Sequence, residues 1–198
     1  MPQHTIQLAA TSRVRLDPPD SHDDEAVANL RSHPLTLRYL RFLPTTFTAE
    51  EARVRRERRA ENRDIVDFHI HVKNDDGSYS FGGVAGISYI DEANGSAEAG
   101  IIVSPHIYHK GVGTEALYNV LKYAFEDRKL HRVTFETGED NVPMCSWLEN
   151  VLEAKLDGKL RECWKDPEGR HTHVNLYSIL EWEWTGGIGK KLEGLVSR

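Results

Sequence analysis

Within residues 65–72, apolar and polar side chains alternate from Val66 to Val72, and this pattern predicts a half-buried β-strand. The apolar face carries Val66, Phe68, Ile70 and Val72, and the opposite face carries Asp67, His69 and His71. A turn-forming run at 74–78 follows, and further strands are expected over residues 81–90 and 97–103. Three successive strands joined by short turns predict an antiparallel meander.

Helical spacing replaces this alternation in the second half of the chain. A helix over residues 111–127 is indicated by the apolar positions Leu117, Val120, Leu121, Ala124 and Phe125. A strand over 132–136 follows, and a strand–helix–strand run of this length predicts a parallel pair. A helix over 143–152 and an antiparallel pair over 156–164 and 172–184 complete the pattern. We therefore expect a mixed α/β sheet, with a cleft where the parallel strands diverge.

Capping signals divide the first part of the chain. Asp20 or Ser21 can cap a helix that runs to about Arg31, and Thr48 with Glu51 forms a capping box that begins an arginine-rich helix. Residues 1–10 are expected to be a flexible arm, residues 11–184 a single domain and residues 185–198 a mobile tail.

Composition narrows the class of protein. A chain of 198 residues is long enough for one well-packed domain. No apolar run approaches membrane-spanning length, and the two cysteines, Cys145 and Cys163, suggest no disulfide framework. We expect a cytoplasmic protein, a monomer or homodimer, with neither a membrane nor a nucleic acid as partner.

The net charge of −6 disfavours nucleic-acid binding and mildly favours cationic substrates such as amines. The charge is uneven, because residues 50–63 contain six arginines against four glutamates. The favoured interpretation of this segment is a solvated helix face with internal ion pairs. Recognition of an acidic partner is the second interpretation.

A glycine-containing loop lies between the strand ending at 103 and the helix that follows. Backbone amides at a helix start, approached without a β-carbon at Gly111 and Gly113, form an anion site and suggest a phosphate-bearing ligand. The Walker pattern is absent, since Lys110 precedes the first glycine, and the third glycine of a Rossmann fingerprint is replaced by Ala116. A plain strand-to-helix turn is the alternative.

Four segments together resemble the GCN5-related N-acetyltransferases (GNAT family): 97–101, 108–117, the pair Asn141 and Ser146, and 176–180. The similarity covers roughly residues 10–184 and is nearest to the branch of the ribosomal-protein N-terminal acetyltransferases. It implies the GNAT fold, a mixed and mostly antiparallel sheet with a central splayed parallel pair, flanked by helices. It also implies an N-acetyltransferase with acetyl-CoA as co-substrate, an amine as acceptor and no metal.

The resemblance assigns acetyl-CoA contacts residue by residue. The pantetheine arm would pair with the backbone of Ile101, Ile102 and Val103, and the pyrophosphate would bind the loop amides. The loop set comprises Tyr108, His109, Lys110, Gly111, Val112, Gly113 and Thr114, with Tyr108 at a position where other members have arginine. Asn141 would contact the pantetheine, and Ser146 would lie at the thioester.

The same resemblance suggests catalytic residues. Glu98 is the first candidate for the general base, with Glu162 as its rival. Ser146 would protonate the leaving thiolate, and Tyr177 is a second candidate acid. Each has a structural alternative: a surface carboxylate for Glu98, a hydroxyl bonded to its own helix for Ser146, and a core aromatic for Tyr177.

Two histidine pairs, His69 with His71 and His171 with His173, could each project from one strand face. No acidic or cysteine partner is spaced to complete a metal site, so an orientation of His69 and His71 toward the amine cleft is favoured over zinc.

The predicted function is direct transfer of acetyl, in a ternary complex, to a primary amine of a small molecule or a protein N-terminus. The alternative is an acyl-CoA sensor with little turnover. It rests on His109 and on Glu153-Ala154, which replace glycine-containing positions of the family pattern.

Overall fold

The structure, a computed structural model, describes residues 6–7 and 13–197, and these form one twisted sheet flanked by helices. The described part of the sheet has eight strands in the order β1-β2-β3-β4-β5-β6-β8-β7. Their bounds are β1 Ile6–Gln7, β2 Val14–Asp17, β3 Val66–Lys73, β4 Tyr79–Asp91, β5 Ser96–Val103, β6 Arg132–Gly138, β7 Lys155–Lys165 and β8 His171–Leu180. Neighbouring strands are antiparallel except for β5 and β6.

The helices cover both faces of this sheet. Their bounds are α1 Asp24–Ser32, α2 Pro34–Leu37, α3 Ala49–Glu61, α4 Val112–Lys122, α5 Val142–Asn150, α6 Glu181–Glu183 and α7 Gly189–Val196. Single turns of other helix types occur at Ser21–Asp23, Pro105–Ile107, Tyr123–Asp127 and Trp184–Ile188. None of the helices in the described part of the chain is long and apolar enough to cross a membrane.

Alternation along β4 separates two packing layers. Ala85 belongs to the main core with α4 and α5, whereas its neighbour Val84 packs with Val27 and Ala52, from α1 and α3. Successive side chains of a strand point to opposite faces, so α1 and α3 cover one face and α4 covers the other. The capping box of Thr48 and Glu51 that was predicted to begin α3 is confirmed.

The parallel pair of β5 and β6 is short. It pairs Ser96–Glu98 with Arg132–Thr134 and then stops, while β5 continues along β4 and β6 continues along β8. The two strands therefore separate after Glu98 and leave a wedge in the middle of the sheet. This wedge confirms the predicted fold, a mixed sheet with a central splayed parallel pair.

The C-terminal segment corrects the prediction of a mobile tail over 185–198. Residues 189–196 form α7, and Leu192 within it is fully buried. Ile188, Leu192 and Val196 are spaced by four residues, so they share the helix face that packs on the main core. The last strand also ends at Leu180, earlier than expected, because residues 181–183 turn into α6.

The predicted flexible arm lies mostly outside the described residues. Of residues 1–10, only Ile6–Gln7 are described, and they pair with β2 in an antiparallel arrangement. The proposed start of the domain at residue 11 stays a prediction, whereas α7 packs on the same core beyond the proposed end at residue 184.

Candidate active site

A cavity of about 800 Å³ lies at the wedge between β5 and β6. Its wall is formed by the glycine-containing loop before α4, the separated ends of both strands, and the inner faces of α1 and α3. It is large enough to hold a nucleotide arm on one side and a second molecule on the other.

The loop before α4 has a left-handed backbone at two positions. Gly111 has a φ of 80° and His109 a φ of 61°, and the second value is unusual for a residue with a β-carbon. The guanidinium of Arg13 donates to the Lys110 carbonyl at 2.6 Å and also to the Glu115 carboxylate. The position of this loop is thus fixed by the side chain of the residue that immediately precedes β2.

Six residues of this loop and of the first turn of α4 line the cavity: Tyr108, His109, Gly111, Val112, Gly113 and Thr114. The first amides of a helix have no partner within it, so those of α4 are available to an anion. Lys110 is not among the described lining residues, and its carbonyl is bound to Arg13. A β-carbon at Gly113 would meet Val103 at an ordinary 3.6 Å.

Both sides of the wedge carry residues predicted to contact the pantetheine. Ile101, Ile102 and Val103 line the cavity from β5, and the register with β6 has already ended at this point. Asn141 lines it from the start of α5, where its side chain caps the Met144 amide at 3.3 Å and donates to Thr137 Oγ1 at 3.1 Å. The backbone edge of β5 is thus available for pairing with a ligand.

Glu98 lies where β5 and β6 part, and its side chain lines the cavity. Burial and the nearby charge of Glu136 raise the pKa of Glu98 to about 7. Glu136 is two residues beyond Thr134, the partner of Glu98, so both carboxylates lie on the same sheet face. A carboxyl that titrates near neutral pH beside a cavity suits proton transfer.

The structure does not bring Ser146 to the cavity. Ser146 is exposed on the outer side of α5, and its hydroxyl accepts a bond from Asn150 at 3.2 Å. The interval of five residues from Asn141 rotates it away, whereas Met144 and Trp147, three residues apart, share the inner face and line the cavity. Trp147 also donates to Thr114 Oγ1 at 3.0 Å, which joins α5 to α4.

Glu162 and Tyr177 are likewise outside the described cavity lining. Glu162 is exposed in an irregular part of β7 with a φ of 53°, and its amide donates to His173 Nδ1 at 2.8 Å. Tyr177 is fully buried and donates its hydroxyl to Glu149 at 2.6 Å. Burial and this bond raise the pKa of Tyr177, which matches its alternative interpretation as a core aromatic.

The histidines of β3 are held by carboxylates. His69 Nδ1 lies 2.7 Å from Asp23, and His71 lies 2.7 Å from Asp17 and 3.2 Å from Asp23. Only His69 of this pair lines the cavity, so the predicted orientation toward the amine cleft is wrong for His71. His171 and His173 contact the backbone of Glu162 instead. Among residues 6–7 and 13–197, no three or more His, Cys, Asp or Glu side chains are arranged so that they could hold a metal ion.

The arginines of α3 were not predicted at the site. Arg53 forms the expected solvated ion pairs with Glu50 and Glu57. In contrast, Arg55, Arg56 and Arg59 line the cavity, so the interpretation of the whole segment as a solvated face is wrong. The signal was present in the sequence, because these three share a helical stripe with Ala52, the buried residue of α3.

Sequence comparisons agree with this geometry. Residues 13–151 match the model of a family described as "Acetyltransferase (GNAT) domain". The uncharacterized N-acetyltransferase p20 of Bacillus licheniformis is 27% identical over 194 residues, which span 91% of this chain and all of that protein. The putative ribosomal N-acetyltransferase YdaF of Bacillus subtilis is 31% identical over 106 residues, 52% of this chain and 56% of that protein.

Solved structures show the same architecture. A putative acetyltransferase superposes with a TM-score of 0.79 at 25% identity, over 98% of this chain and 93% of that one. Spermidine N-acetyltransferase from Vibrio cholerae, in complex with CoA and spermine, superposes with a TM-score of 0.76 at 20% identity, over 87% of this chain and 98% of that one. The second similarity concerns the fold alone.

Proposed function

Because the chain belongs to the GNAT acetyltransferase family, whose members use acetyl-CoA, we propose that it acetylates a primary amine of a small molecule or a protein N-terminus by direct attack in a ternary complex. One observation carries this proposal: the wedge between β5 and β6 opens beside a loop of free helix-start amides and beside Glu98. An anion-binding loop and a base thus face a single cavity.

The loop side suits acetyl-CoA. The amides of Val112, Gly113 and Thr114 would bind the pyrophosphate, since a helix start attracts negative charge. The free edge of Ile101–Val103 would pair with the amides of the pantetheine, as an added strand would. Asn141, across the wedge, has its side chain fixed by Thr137 and Met144 and would limit the sideways position of the arm.

The other side suits an amine. Glu98 would accept a proton from the ammonium, and the resulting neutral amine would attack the thioester carbonyl. The C–N bond forms and the C–S bond breaks, and the second proton lost by the nitrogen passes through water to the departing coenzyme A thiolate. We do not assign thiolate protonation to Ser146, because its hydroxyl is exposed on the opposite side of α5 and bonded to Asn150. Glu162 has no role in this mechanism for the same reason of position.

The sensor alternative loses its support. It rested on residues other than glycine at His109 and at Glu153-Ala154. Glu153 adopts a φ of 60° and the Ala154 amide donates to the Leu148 carbonyl at 2.9 Å, so the turn after α5 forms without glycine. His109 is accommodated in the same conformation.

Membership of the ribosomal-protein N-terminal acetyltransferase branch is also part of the proposal. It is supported by the segments around Tyr108 and Asn141 and by the name of the Bacillus subtilis relative. Acetylation of a peptide α-amine, in preference to a lysine side chain in the same peptide, would support that branch.

The direct test is coenzyme A release from acetyl-CoA, followed with a thiol reagent and a panel of small amines and peptides. Acceptor-dependent release, with the acetylated product identified by mass spectrometry, is expected. Glu98→Gln should lose this turnover while still binding acetyl-CoA. Acetyl-CoA binding without turnover for any amine in a broad panel would contradict the proposal and restore the sensor.

A further inference from the structure

One end of the cavity contains more positive charge than the protein neutralises. Arg31 from α1 and Arg55 and Arg59 from α3 line it together, above Asp67 of β3. Arg59 donates to both carboxylate oxygens of Asp67, and its Nη2 lies 2.8 Å from Oδ1. Asp67 is thus the single carboxylate beside three guanidinium groups, and both of its oxygens are hydrogen-bonded to one of them, Arg59.

The other two arginines have no acidic partner among the described residues. Nε of Arg31 is shielded from solvent and has no hydrogen-bond partner in the described part of the chain, and its guanidinium lies 5.2 Å from the centre of the Phe47 ring. Burial and the charge of Arg31 lower the pKa of Arg55 to about 10, and burial and Arg59 lower that of Arg31. Like charges held together in a partly buried site are costly unless an anion joins them.

The opposite end of the same cavity is acidic. Asp67 pairs with Gly86 on β4, Gly86 pairs with Gly100 on β5, and Glu98 lies two residues before Gly100 on β5. Residues opposite each other or two apart share a face, so the arginines at Asp67 and the carboxylates at Glu98 border one surface. Two strand spacings, about 10 Å, separate the backbones of Asp67 and Gly100. A β-carbon at Gly100 would meet nothing within 4 Å, so the space between the two ends is open.

We propose that the acceptor is a primary amine that also carries an oxyanion, a carboxylate or a phosphate, and that Arg31 and Arg55 bind this group while the amine lies at Glu98. The inference deepens the proposed function and depends on it. Guanidinium groups match the planar geometry of carboxylate and phosphate oxygens, and an arriving anion supplies the missing counter-charge. The net charge of −6, which favoured a cationic substrate at the sequence level, does not describe this local field.

A polyamine fits this end of the cavity poorly. Its second ammonium would meet two unpaired guanidinium groups, and like charges in a confined site suppress binding. The acceptor named for the Vibrio cholerae neighbour therefore supplies the sharpest contrast compound.

The first test uses acceptors in matched pairs, with coenzyme A release as the readout. The pairs are 4-aminobutyrate with its amide, aspartyl-alanine amide with asparaginyl-alanine amide, and phosphoethanolamine with ethanolamine; spermidine is the cationic comparison. In each pair, the compound with the carboxylate or phosphate is called anionic, and the one without it is called neutral, whatever the charge of the amine. We expect kcat/KM of the anionic member of at least one pair to exceed that of its neutral partner about tenfold or more, which is the effect of one hydrogen bond to a charged group. The first two pairs report a carboxylate, and the third reports a phosphate.

The second test assigns the effect to the arginines. Arg55→Gln and Arg31→Gln should reduce kcat/KM for the anionic acceptor about tenfold or more and leave that for its neutral partner within about twofold. Arg53→Gln is the matched control, because Arg53 is on the same helix but pairs with Glu50 and Glu57 in solvent. Arg55→Lys should recover part of the preference. If the arginine has only a structural role, its replacement would reduce kcat/KM equally for both acceptors.

The possible outcomes distinguish a failure of the anionic-acceptor proposal from a failure of the proposed acetyltransferase function. If no amine of any charge is acetylated, the proposed function fails. If spermidine or the neutral amines match or exceed the anionic ones in every pair, the function stands and the anionic acceptor is refuted. If the preference exists but survives both glutamine variants, the assignment to Arg31 and Arg55 is wrong.

Discussion

Glu98 and Glu136 lie on the same face of neighbouring strands at the point where those strands part, and burial together with the charge of Glu136 raises the pKa of Glu98 to about 7. Removing a proton from an ammonium requires the ionised carboxylate, which forms above that pKa. The same two features that make Glu98 costly to ionise also make it a stronger base.

Turnover should therefore rise from pH 6 to pH 8 with an inflection near pH 7. Glu98→Gln should remove the inflection and reduce kcat by about 10²–10⁴-fold. Glu136→Gln removes one source of the raised pKa, so the inflection should move to lower pH. Initial rates of coenzyme A release at saturating acetyl-CoA measure both effects. An unchanged profile in Glu98→Gln would place the base elsewhere.

Acetyl-CoA should stabilise the folded protein through the loop before α4. At about a hundred times its dissociation constant, it should add about 2.7 kcal/mol to the free energy of unfolding. Gly113→Glu places a carboxylate among the phosphates and should abolish the shift seen by thermal denaturation. Gly113→Ala is the control, because its β-carbon meets Val103 at an ordinary distance of 3.6 Å. A full shift in the glutamate variant would contradict the loop assignment.

Ser146→Ala should leave turnover within about twofold of wild type. Its hydroxyl is exposed and accepts a bond only from Asn150 among the described residues, and such a surface substitution also changes stability by no more than about 0.5 kcal/mol.

Tyr177→Phe should lower the stability of the protein but not its turnover. It removes the bond to Glu149 and should cost about 1 kcal/mol by urea denaturation, without changing turnover. A large fall in kcat for either variant would return that residue to the mechanism.

Local patterns predicted the parts of this site that depend on local structure. The alternation at Val66–Val72 identified β3, and the glycines at 111 and 113 identified the loop, because backbone conformation at a turn is set by nearby residues. The acidic residue at 98 followed from the family resemblance, and its strand position then placed it at the wedge.

The parts that failed depend on phase and packing. Ser146 lies outside the cavity because its position on α5 rotates it to the outer side. Glu162 lies outside it in an irregular part of β7, and no turn-forming residue in the sequence predicts that irregularity. Arg55 and Arg31 were missed because charged residues are expected on the surface, and only the packing of α1 beside α3 shows that they share an enclosed end.

A pH-dependent contribution to stability should come from His71. Its hydrogen bond to Asp23, helped by Asp17, raises the pKa of His71, and although burial opposes it, the bonds from His69 and His71 lower the pKa of Asp23. The raised histidine stabilises fully below its unfolded pKa, about 6.5, and this contribution is lost as pH rises through the folded value. The lowered aspartate contributes above about pH 3.9 and loses its contribution at still lower pH.

His71→Gln should therefore cost most near pH 5.5, about 1–2 kcal/mol in the free energy of unfolding, and much less at pH 9. The reason is that glutamine keeps a hydrogen-bonding side chain but cannot acquire the charge that Asp17 and Asp23 favour. Urea denaturation of both proteins across this range gives the difference at each pH. His131→Gln provides the matched control, since His131 is exposed and its replacement should have only a small cost. A cost of His71→Gln that stays constant from pH 5.5 to pH 9 would show that His71 acts through its shape and neutral hydrogen bonds, and not as a cation between the two carboxylates.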